Sequence, residues 1–219
     1  MYKFIILRIP LSILLCCFSV LETFGQTSSL VSLKLLFDSN FDKELAQVIV
    51  EDLESNFSLD VESLGYETFT DGFIQLDSIV NGLNLLNDLK EYKGETSSKH
   101  IIITDKLLTL NGNSSLLLRG FSKIGEDFAI VSSKRIEQES LAFELDYRNQ
   151  LGKAVKHEFL HLIGLPHCES NNKCIMISAF PESNFHQSKS AVCKSCFLRI
   201  DSLQDVQIQL KEQFIMEDF

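Results

Sequence analysis

Apolar residues recur along the chain with two different periods, and these predict alternating strands and helices. Three strands are predicted, at residues 31–37, near residues 59–64, and at residues 100–105, where "HIIITD" is a compact apolar run bounded by polar residues. Between them, apolar side chains three or four positions apart predict a helix over residues 41–57, capped by Asp42, and another over residues 76–92. This alternation is typical of an α/β sheet covered by helices.

The second half of the chain continues the pattern. "NGNSS" at residues 111–115 predicts a turn, and the runs "LLLRGF" and "FAIVSS" after it predict two more strands, the first at a sheet edge. One long helix is predicted over residues 138–164, because Gly164 suits a C-terminal cap and Pro166 forbids continuation. A last amphipathic helix is predicted over residues 198–214. We therefore expect an α/β fold with a mixed, mostly parallel sheet.

The amino-terminal segment differs in character from the rest. Lys3 and Arg8 precede an apolar run at residues 9–21, and the small residue Gly25 follows. This pattern predicts a secretory signal peptide at residues 1–25, because the run is shorter than the roughly 20 apolar residues of a membrane span. We therefore expect a secreted or periplasmic protein.

Two alternatives to cleavage remain open. The segment can stay as a membrane anchor, which would be the protein's one contact with a membrane, or it can carry a lipid on Cys16. Leu15 fits poorly as the small residue expected before a lipid-modified cysteine. After cleavage, residues 26–219 are expected to form a single domain, since the chain shows no internal repeat and no linker rich in Pro or Gly.

Composition excludes some functions. The chain has 219 residues, 45% of them apolar, which is enough for one good-sized core and rules out a disordered protein. Its formal net charge of −10 argues against a nucleic-acid binder, which would show a basic patch. Composition predicts no oligomeric state.

Three histidines cluster in "KHEFLHLIGLPHC". His157 and His161 lie four residues apart and so share one face of a helix, where two imidazoles can hold one zinc ion. Gly164 allows a sharp turn that can bring His167 to the same ion as a third ligand. Three protein ligands leave a fourth position open, which is typical of catalytic zinc. Glu158 can then act as the general base for a zinc-activated water.

The remaining histidines and the cysteines have their own interpretations. We take His100 and His186 as ordinary structural or surface residues. After cleavage the chain would keep four cysteines, which form two disulfides in three possible pairings or surround a structural zinc. The spacing favours zinc, because a CxxC pair with two further cysteines is a common set of four thiolate ligands. The four are Cys168, Cys174, Cys193 and Cys196.

The order of "HEFLHLIGLPHC", "CIM" and "CKSC" resembles the archaemetzincins, a family of metzincin-type zinc metallopeptidases, over roughly residues 30–205. The resemblance implies a catalytic zinc, with Glu158 as general base and Met176 as the methionine of the turn below the metal. It also implies a second, structural zinc in a stapled C-terminal segment. The histidine ligands would be His157, His161 and His167, and the cysteine ligands Cys168, Cys174, Cys193 and Cys196.

The spacing of the motifs departs from the family pattern at two places. Five residues separate Cys168 from Cys174 where the pattern has four, and sixteen separate Met176 from Cys193 where it has seventeen. The family is also better known without a signal peptide, and exported thiolates form disulfides unless zinc binds first. Zinc is our prediction, and disulfides are the alternative.

We thus predict a zinc-dependent metallopeptidase with two Zn²⁺ per chain and a peptide or protein substrate. Whether it cleaves internally or as an aminopeptidase stays open. Residues 116–119 are the predicted edge strand for an extended substrate. The alternatives are a catalytically silent zinc-binding protein that retains the fold, and a hydrolase of non-peptide amides. The intact Glu158 argues against the silent protein, because a site that only binds metal needs no base.

Overall fold

The computed structural model describes residues 31–67, 74–76, 79–91, 98–111, 116–178, 182–203, 208 and 210–216; the predicted signal peptide at residues 1–25 lies outside these ranges. Nine strands are described: β1 Ser32–Asp38, β2 Asp60–Glu67, β3 Ile74–Leu76, β4 Ile79–Asn81, β5 Lys99–Thr104, β6 Leu107–Thr109, β7 Leu117–Leu118, β8 Gly120–Ser122 and β9 Phe128–Ser132. The described helices are α1 Lys43–Asn56, α2 Gly82–Glu91, α3 Ser133–Ala142, α4 Tyr147–Leu162, α5 Glu182–Gln187, α6 Lys194–Asp201 and the 3₁₀ helix Glu212–Phe214.

The main sheet has five strands in the order β2-β1-β5-β9-β8. The first four are parallel, and β8 pairs antiparallel with β9 at one edge. Helix α1 lies in the connection from β1 to β2 and α2 in that from β2 to β5, whereas the connection from β5 to β9 contains the short strands β6, β7 and β8. The expected α/β fold with a mixed, mostly parallel sheet is confirmed.

Both faces of this sheet are buried at its central strands β5 and β9, and β5 shows how. Ile101 and Ile103 point into the larger core, whereas Ile102 between them points into a second core. Successive side chains of a strand face opposite sides of a sheet, so a continuous apolar run suits a strand covered on both faces. Helix α4 contributes to the larger core through residues such as Val155 and Phe159, both fully buried.

A second, four-stranded sheet has the order β3-β4-β6-β7 and was not predicted. Its strands are two or three residues long, too short to show a period of two. β7 pairs antiparallel with β6, and Arg119 alone separates β7 from β8. The predicted strand "LLLRGF" is therefore two strands, each at the edge of a different sheet.

The first predicted helix is confirmed as α1. Asp42 caps it, because its carboxylate accepts hydrogen bonds from the backbone N–H groups of Glu44 and Leu45 at 2.8 and 3.1 Å. The second predicted helix begins later than expected. Residues 79–81 pair in parallel with β6 instead, and the Asn81 side chain accepts a hydrogen bond from the Asn84 N–H at the start of α2.

The single helix predicted over residues 138–164 is wrong, because the chain forms two helices there. Glu144 has φ +53°, a left-handed conformation that a helix cannot continue through. Asp146 then caps α4 by accepting from the N–H groups of Arg148 and Asn149. Apolar periodicity runs across this break, whereas the cap marks it.

The last predicted helix, residues 198–214, is also wrong for the described residues after Asp201, and residues 204–207 and 209 lie outside the described ranges. Helix α6 ends at Asp201, and Leu210 forms an isolated antiparallel bridge with Phe57. Phe214 is fully buried against Phe57, with ring centroids 4.8 Å apart. Packing of these apolar residues on the main core therefore overrides their helical spacing. Among the helices that the structure describes, none has the length and apolar character to cross a bilayer.

Candidate active site

Helix α4 carries two of the three histidines on its buried face. His157 and His161 are each 5% exposed, and their Nε2 atoms lie 3.1 Å apart. The helix is held between α1, β8 and β9, and its residues from Gln150 to Leu162 are all buried. The two imidazoles are thus fixed by the packing of the helix that bears them.

Gly164 turns the chain so that the third histidine reaches the other two. Its φ of +101° lies in the left-handed region that favours glycine, and its N–H donates to the His161 carbonyl at 3.0 Å. The Leu165 N–H then donates to the Leu160 carbonyl at 2.9 Å, which completes the helix end. His167 follows, exposed, with Nε2 3.2 Å from that of His161.

Backbone carbonyls set the tautomers of the two buried rings. His157 Nδ1 donates to the Ile175 carbonyl at 2.8 Å, and His161 Nδ1 donates to the Leu165 carbonyl at 2.7 Å. Each Nε2 is left with a free lone pair. Burial lowers the pKa of His157 well below its usual value and that of His161 to about 4, and it also lowers the pKa of His167. All three rings are therefore neutral at pH 7, the form that binds metals.

The donor set fits a zinc ion. The three ligand nitrogens all lie within 4.8 Å of one another. Bonds of about 2.0–2.1 Å in a tetrahedron place nitrogens about 3.3 Å apart, close to the two short separations here. Such a set occupies three corners of the tetrahedron and leaves the fourth for water or substrate.

Glu158 lies beside the histidines, 7% exposed, and its carboxylate touches strand β8. Ser122 Oγ donates a hydrogen bond to Glu158 Oε2 at 2.5 Å. Burial raises the pKa of Glu158 to about 7, and the Ser122 hydrogen bond acts in the opposite direction. A carboxyl group with a pKa near neutrality suits proton transfer at pH 7.

A cavity of about 310 Å³ joins the histidines to the two edge strands. All of residues 116–119, the predicted substrate strand, line it, together with the whole of β8. Phe185 from α5 and Ala154 from α4 contribute apolar surface. The cavity therefore runs from the histidine cluster along β8, the edge strand of the main sheet among the described residues.

Arg119, the last residue of the predicted substrate strand, and Glu139 also line this cavity, and sequence reasoning missed Glu139 and the ion pair between them. Arg119 Nε donates to Glu139 Oε2, and Arg135 forms an ion pair with the same carboxylate, with Nε 2.7 Å from Oε1. The Arg119 guanidinium carbon lies 5.0 Å from the centre of the Phe185 ring. The ion pair joins residues 20 positions apart, so no local spacing could have indicated it.

The two other histidines stand outside both clusters of potential metal ligands among the described residues. His100 stacks on Phe128 at the start of β5, with ring centroids 4.8 Å apart. His186 Nε2 lies 3.2 Å from Arg119 Nη2 and accepts from it, since arginine only donates. His186 thus adjoins the cavity wall rather than the surface.

Four buried cysteines form the second cluster, directly after His167. The Sγ atoms of Cys168, Cys174, Cys193 and Cys196 all lie within 4.8 Å of one another, and none is in a disulfide. Cys168 Sγ is 3.6 Å from Cys193 Sγ. A tetrahedral zinc with bonds of about 2.3 Å separates its sulfurs by about 3.8 Å, whereas a disulfide bond is about 2.05 Å long. The one-residue shift in spacing still leaves Cys174 in the cluster.

The thiols and the backbone of the "CIM" segment tie the two clusters together. A hydrogen bond from Cys196 lowers the pKa of the Cys174 thiol to about 6, which favours the thiolate that metals bind. The Cys168 N–H donates to the carbonyl of Met176 at 2.7 Å. Met176 is fully buried in a turn, and Ile175, one residue before it, accepts the His157 hydrogen bond.

Comparisons with known proteins establish the family and the fold of the chain. The model of peptidase family M54 matches residues 76–202, more than half of the chain. A zinc-dependent peptidase from Methanocorpusculum labreanum superposes with a TM-score of 0.64 at 20% identity, covering 77% of this chain and 99% of that one. No curated protein matches.

Two archaemetzincins are similar in fold as well. The one from Methanopyrus kandleri gives a TM-score of 0.64 at 18% identity, over 82% of this chain and 98% of its own. The one from Archaeoglobus fulgidus, solved with malonate, gives 0.63 at 20% identity, over 77% and 99%. At these identities the likeness establishes the fold, and the family match establishes the activity class. The chain belongs to peptidase family M54, the archaemetzincin family of zinc-dependent metallopeptidases.

Proposed function

We propose that this metallopeptidase hydrolyses peptide bonds at a zinc ion held by His157, His161 and His167, with Glu158 as the general base. One observation carries the proposal: three neutral imidazoles present their Nε2 atoms to a common point in the cavity that also holds the Glu158 carboxylate. A site that only stored metal would not need a carboxylate of raised pKa beside the open position.

The reaction then divides between the metal and the chain. Zinc, when bound, polarises the scissile carbonyl and lowers the pKa of water. Glu158 accepts the proton of the attacking water and returns it to the leaving amine. The buried hydrogen bonds of His157 and His161 hold both rings in the ligating tautomer.

The substrate would lie along the free edge of β8. An extended peptide can add to an exposed sheet edge through backbone hydrogen bonds, and β8 ends the main sheet. Residues 116–119 remain part of this proposal, because β7 is the edge of the second sheet and lines the same cavity. Apolar side chains such as Leu118 and Phe185 would contact substrate side chains.

The four cysteines would hold a second, structural zinc. Four buried thiols leave no position open for substrate, as in structural sites. Through the Cys168 and Met176 backbone bond, this site would fix the segment that carries His167. The cofactor requirement is then two zinc ions per chain.

The test compares wild type with Glu158→Gln on a library of fluorogenic peptides. We expect two zinc ions in both proteins and at least a roughly 10²-fold lower rate in the variant, since general-base catalysis contributes about 10²–10⁴. A zinc-loaded wild type that cleaves no peptide would contradict the proposal. Cleavage of other amides in its place would indicate the non-peptide hydrolase, and no hydrolysis at all the silent zinc-binding protein.

We also propose that the chain is exported, on the strength of the basic and apolar pattern of residues 1–25. Intact-mass measurement on protein recovered from its producing cells should show loss of about 25 residues. Retention of the segment in a membrane fraction would indicate the anchor instead.

A further inference from the structure

Strand β8 contacts the catalytic helix through two alternate residues. Gly120 and Ser122 pair with Val131 and Ala129 of β9, and those two partners face the larger core, where α4 packs. Side chains two apart on a strand share a face. Positions 120 and 122 therefore face α4, while Phe121 between them packs against the second core.

The Glu158 carboxylate lies against both positions. Its Oε2 accepts the hydrogen bond of Ser122 at 2.5 Å, the range of a short O–H···O⁻ bond. A Cβ atom at position 120 would stand 2.5 Å from Oε1, 2.8 Å from Cγ and 2.9 Å from Cδ of the same side chain. Glycine is thus the residue that leaves room for the carboxylate, and serine holds one of its two oxygens.

We propose that β8 positions the general base: Ser122 fixes Oε2 of Glu158, Gly120 admits Oε1, and Oε1 is thereby aimed at the attacking water. This inference rests on the proposed function, because it assigns Ser122 a role that acts through Glu158. Ser122 is a positioning residue, and the same strand would serve as both the substrate edge and the support of the base.

The predicted consequence concerns turnover rather than binding. Without the Ser122 hydroxyl, the Glu158 carboxylate can still accept a proton but is no longer held in a single orientation. Misplacement of a reacting group by about 1 Å can cost about 10²-fold in rate. We expect Ser122→Ala to lower kcat by roughly 10- to 100-fold with KM and zinc content unchanged. Ser122→Thr keeps a hydroxyl at the same position and should retain most of the activity. Gly120→Ala should lower kcat as well, because the new methyl displaces the carboxylate.

The experiment measures kcat, KM and zinc per chain for wild type, Ser122→Ala, Ser122→Thr and Glu158→Gln. Lys123→Ala, one residue beyond β8 and outside the cavity lining, is the matched control. Crystal structures of metal-free wild type and Ser122→Ala add a readout independent of activity. The carboxylate should keep its place against β8 in the wild type and leave it in the variant.

The outcomes separate the two claims. Full kcat in Ser122→Ala, with Glu158→Gln inactive, overturns the positioning role and leaves the proposed function standing. Equal loss in Ser122→Thr and Ser122→Ala also overturns it, because the hydroxyl would then be irrelevant. Loss of zinc from Ser122→Ala would overturn it as well, because Ser122 would then act on the metal site and not on the general base. Equal hydrolysis by wild type and Glu158→Gln would overturn the proposed function and this inference together.

Discussion

Two clusters of potential metal ligands adjoin at the bond between His167 and Cys168, and they are built in opposite ways. The histidine cluster has three donors, one of them exposed, and opens on a cavity of about 310 Å³. The cysteine cluster has four donors, all buried. Three donors with an open side suit catalysis, and four enclosed donors suit stability. The difference lies in donor number and exposure, and both can be altered one residue at a time.

The largest expected effect comes from opening the cysteine cluster. Cys196→Ser should leave one zinc per chain and strongly lower stability, because structural zinc binding in small domains is worth about 10–16 kcal/mol. Thermal unfolding and metal content measure this. Ser195→Ala, exposed and between the two cysteines of the CxxC pair, is the control and should match wild type. An unchanged melting temperature in Cys196→Ser would refute the structural role.

Removal of a histidine ligand should separate activity from stability. His161→Ala is expected to lose the catalytic zinc, keep the cysteine zinc and lower peptide hydrolysis by more than about 10³-fold, since metal and base act as one unit. Zinc content should fall from two to one with little change in unfolding temperature. His100→Ala, outside both clusters, is the control. Loss of both zincs would show that the two sites form a single unit.

A smaller effect is expected from substituting Lys153, which supports the segment that contributes Phe185 to the cavity wall. Lys153, 2% exposed, donates from Nζ to the carbonyls of Phe185 and Ser188 at 2.8 and 3.1 Å. Lys153→Met leaves those carbonyls without this donor, so we expect a loss of about 1–3 kcal/mol in the free energy of unfolding, measured in denaturant. Lys134→Met, at an exposed ion pair with Glu137, should cost less than about 0.5 kcal/mol. An equal loss of stability in Lys153→Met and Lys134→Met would contradict a stabilising role for the buried Lys153 hydrogen bonds.

The smallest expected effect comes from the turn that joins the histidines. Gly164→Ala places a side chain at φ +101°, and the strain should cost about 1–2 kcal/mol and lower activity by shifting His167. Gly125→Ala, at φ +77°, carries similar strain in open space and keeps its amide hydrogen bond to the His161 carbonyl. Gly125→Ala should lose a comparable amount of stability but keep its full activity. Similar activity in the two variants would show that Gly164 matters for folding alone.

Local spacing predicted the histidine-bearing turns of α4 and the end of that helix well, because their geometry is a property of adjacent turns, although it missed the break before α4. His157 and His161 follow from a separation of four residues, and Gly164 follows from the demands of a helix end. The same reasoning placed the four cysteines together even with a shifted Cys174. It also gave the parallel strands, two of which, β5 and β9, contain continuous apolar runs.

Long-range contacts could not be predicted in this way. Ser122 reaches Glu158 across 36 positions, through a strand alternation that no single stretch reveals. Phe57 and Phe214 pack together in the core, although the apolar spacing before Phe214 predicts a helix there. Burial of these rings therefore outweighs helix propensity. The break before α4 had a local signal in Asp146, a cap residue inside an apparently continuous helical pattern.

The central claim, two zinc sites of different construction, is tested most directly by anomalous X-ray diffraction at the zinc edge on crystals of the metal-loaded protein. We predict two peaks, one about 2.0–2.1 Å from the Nε2 atoms of the three histidines and one about 2.3 Å from the four cysteine sulfurs. A single peak, or a disulfide in place of the second, would contradict the account.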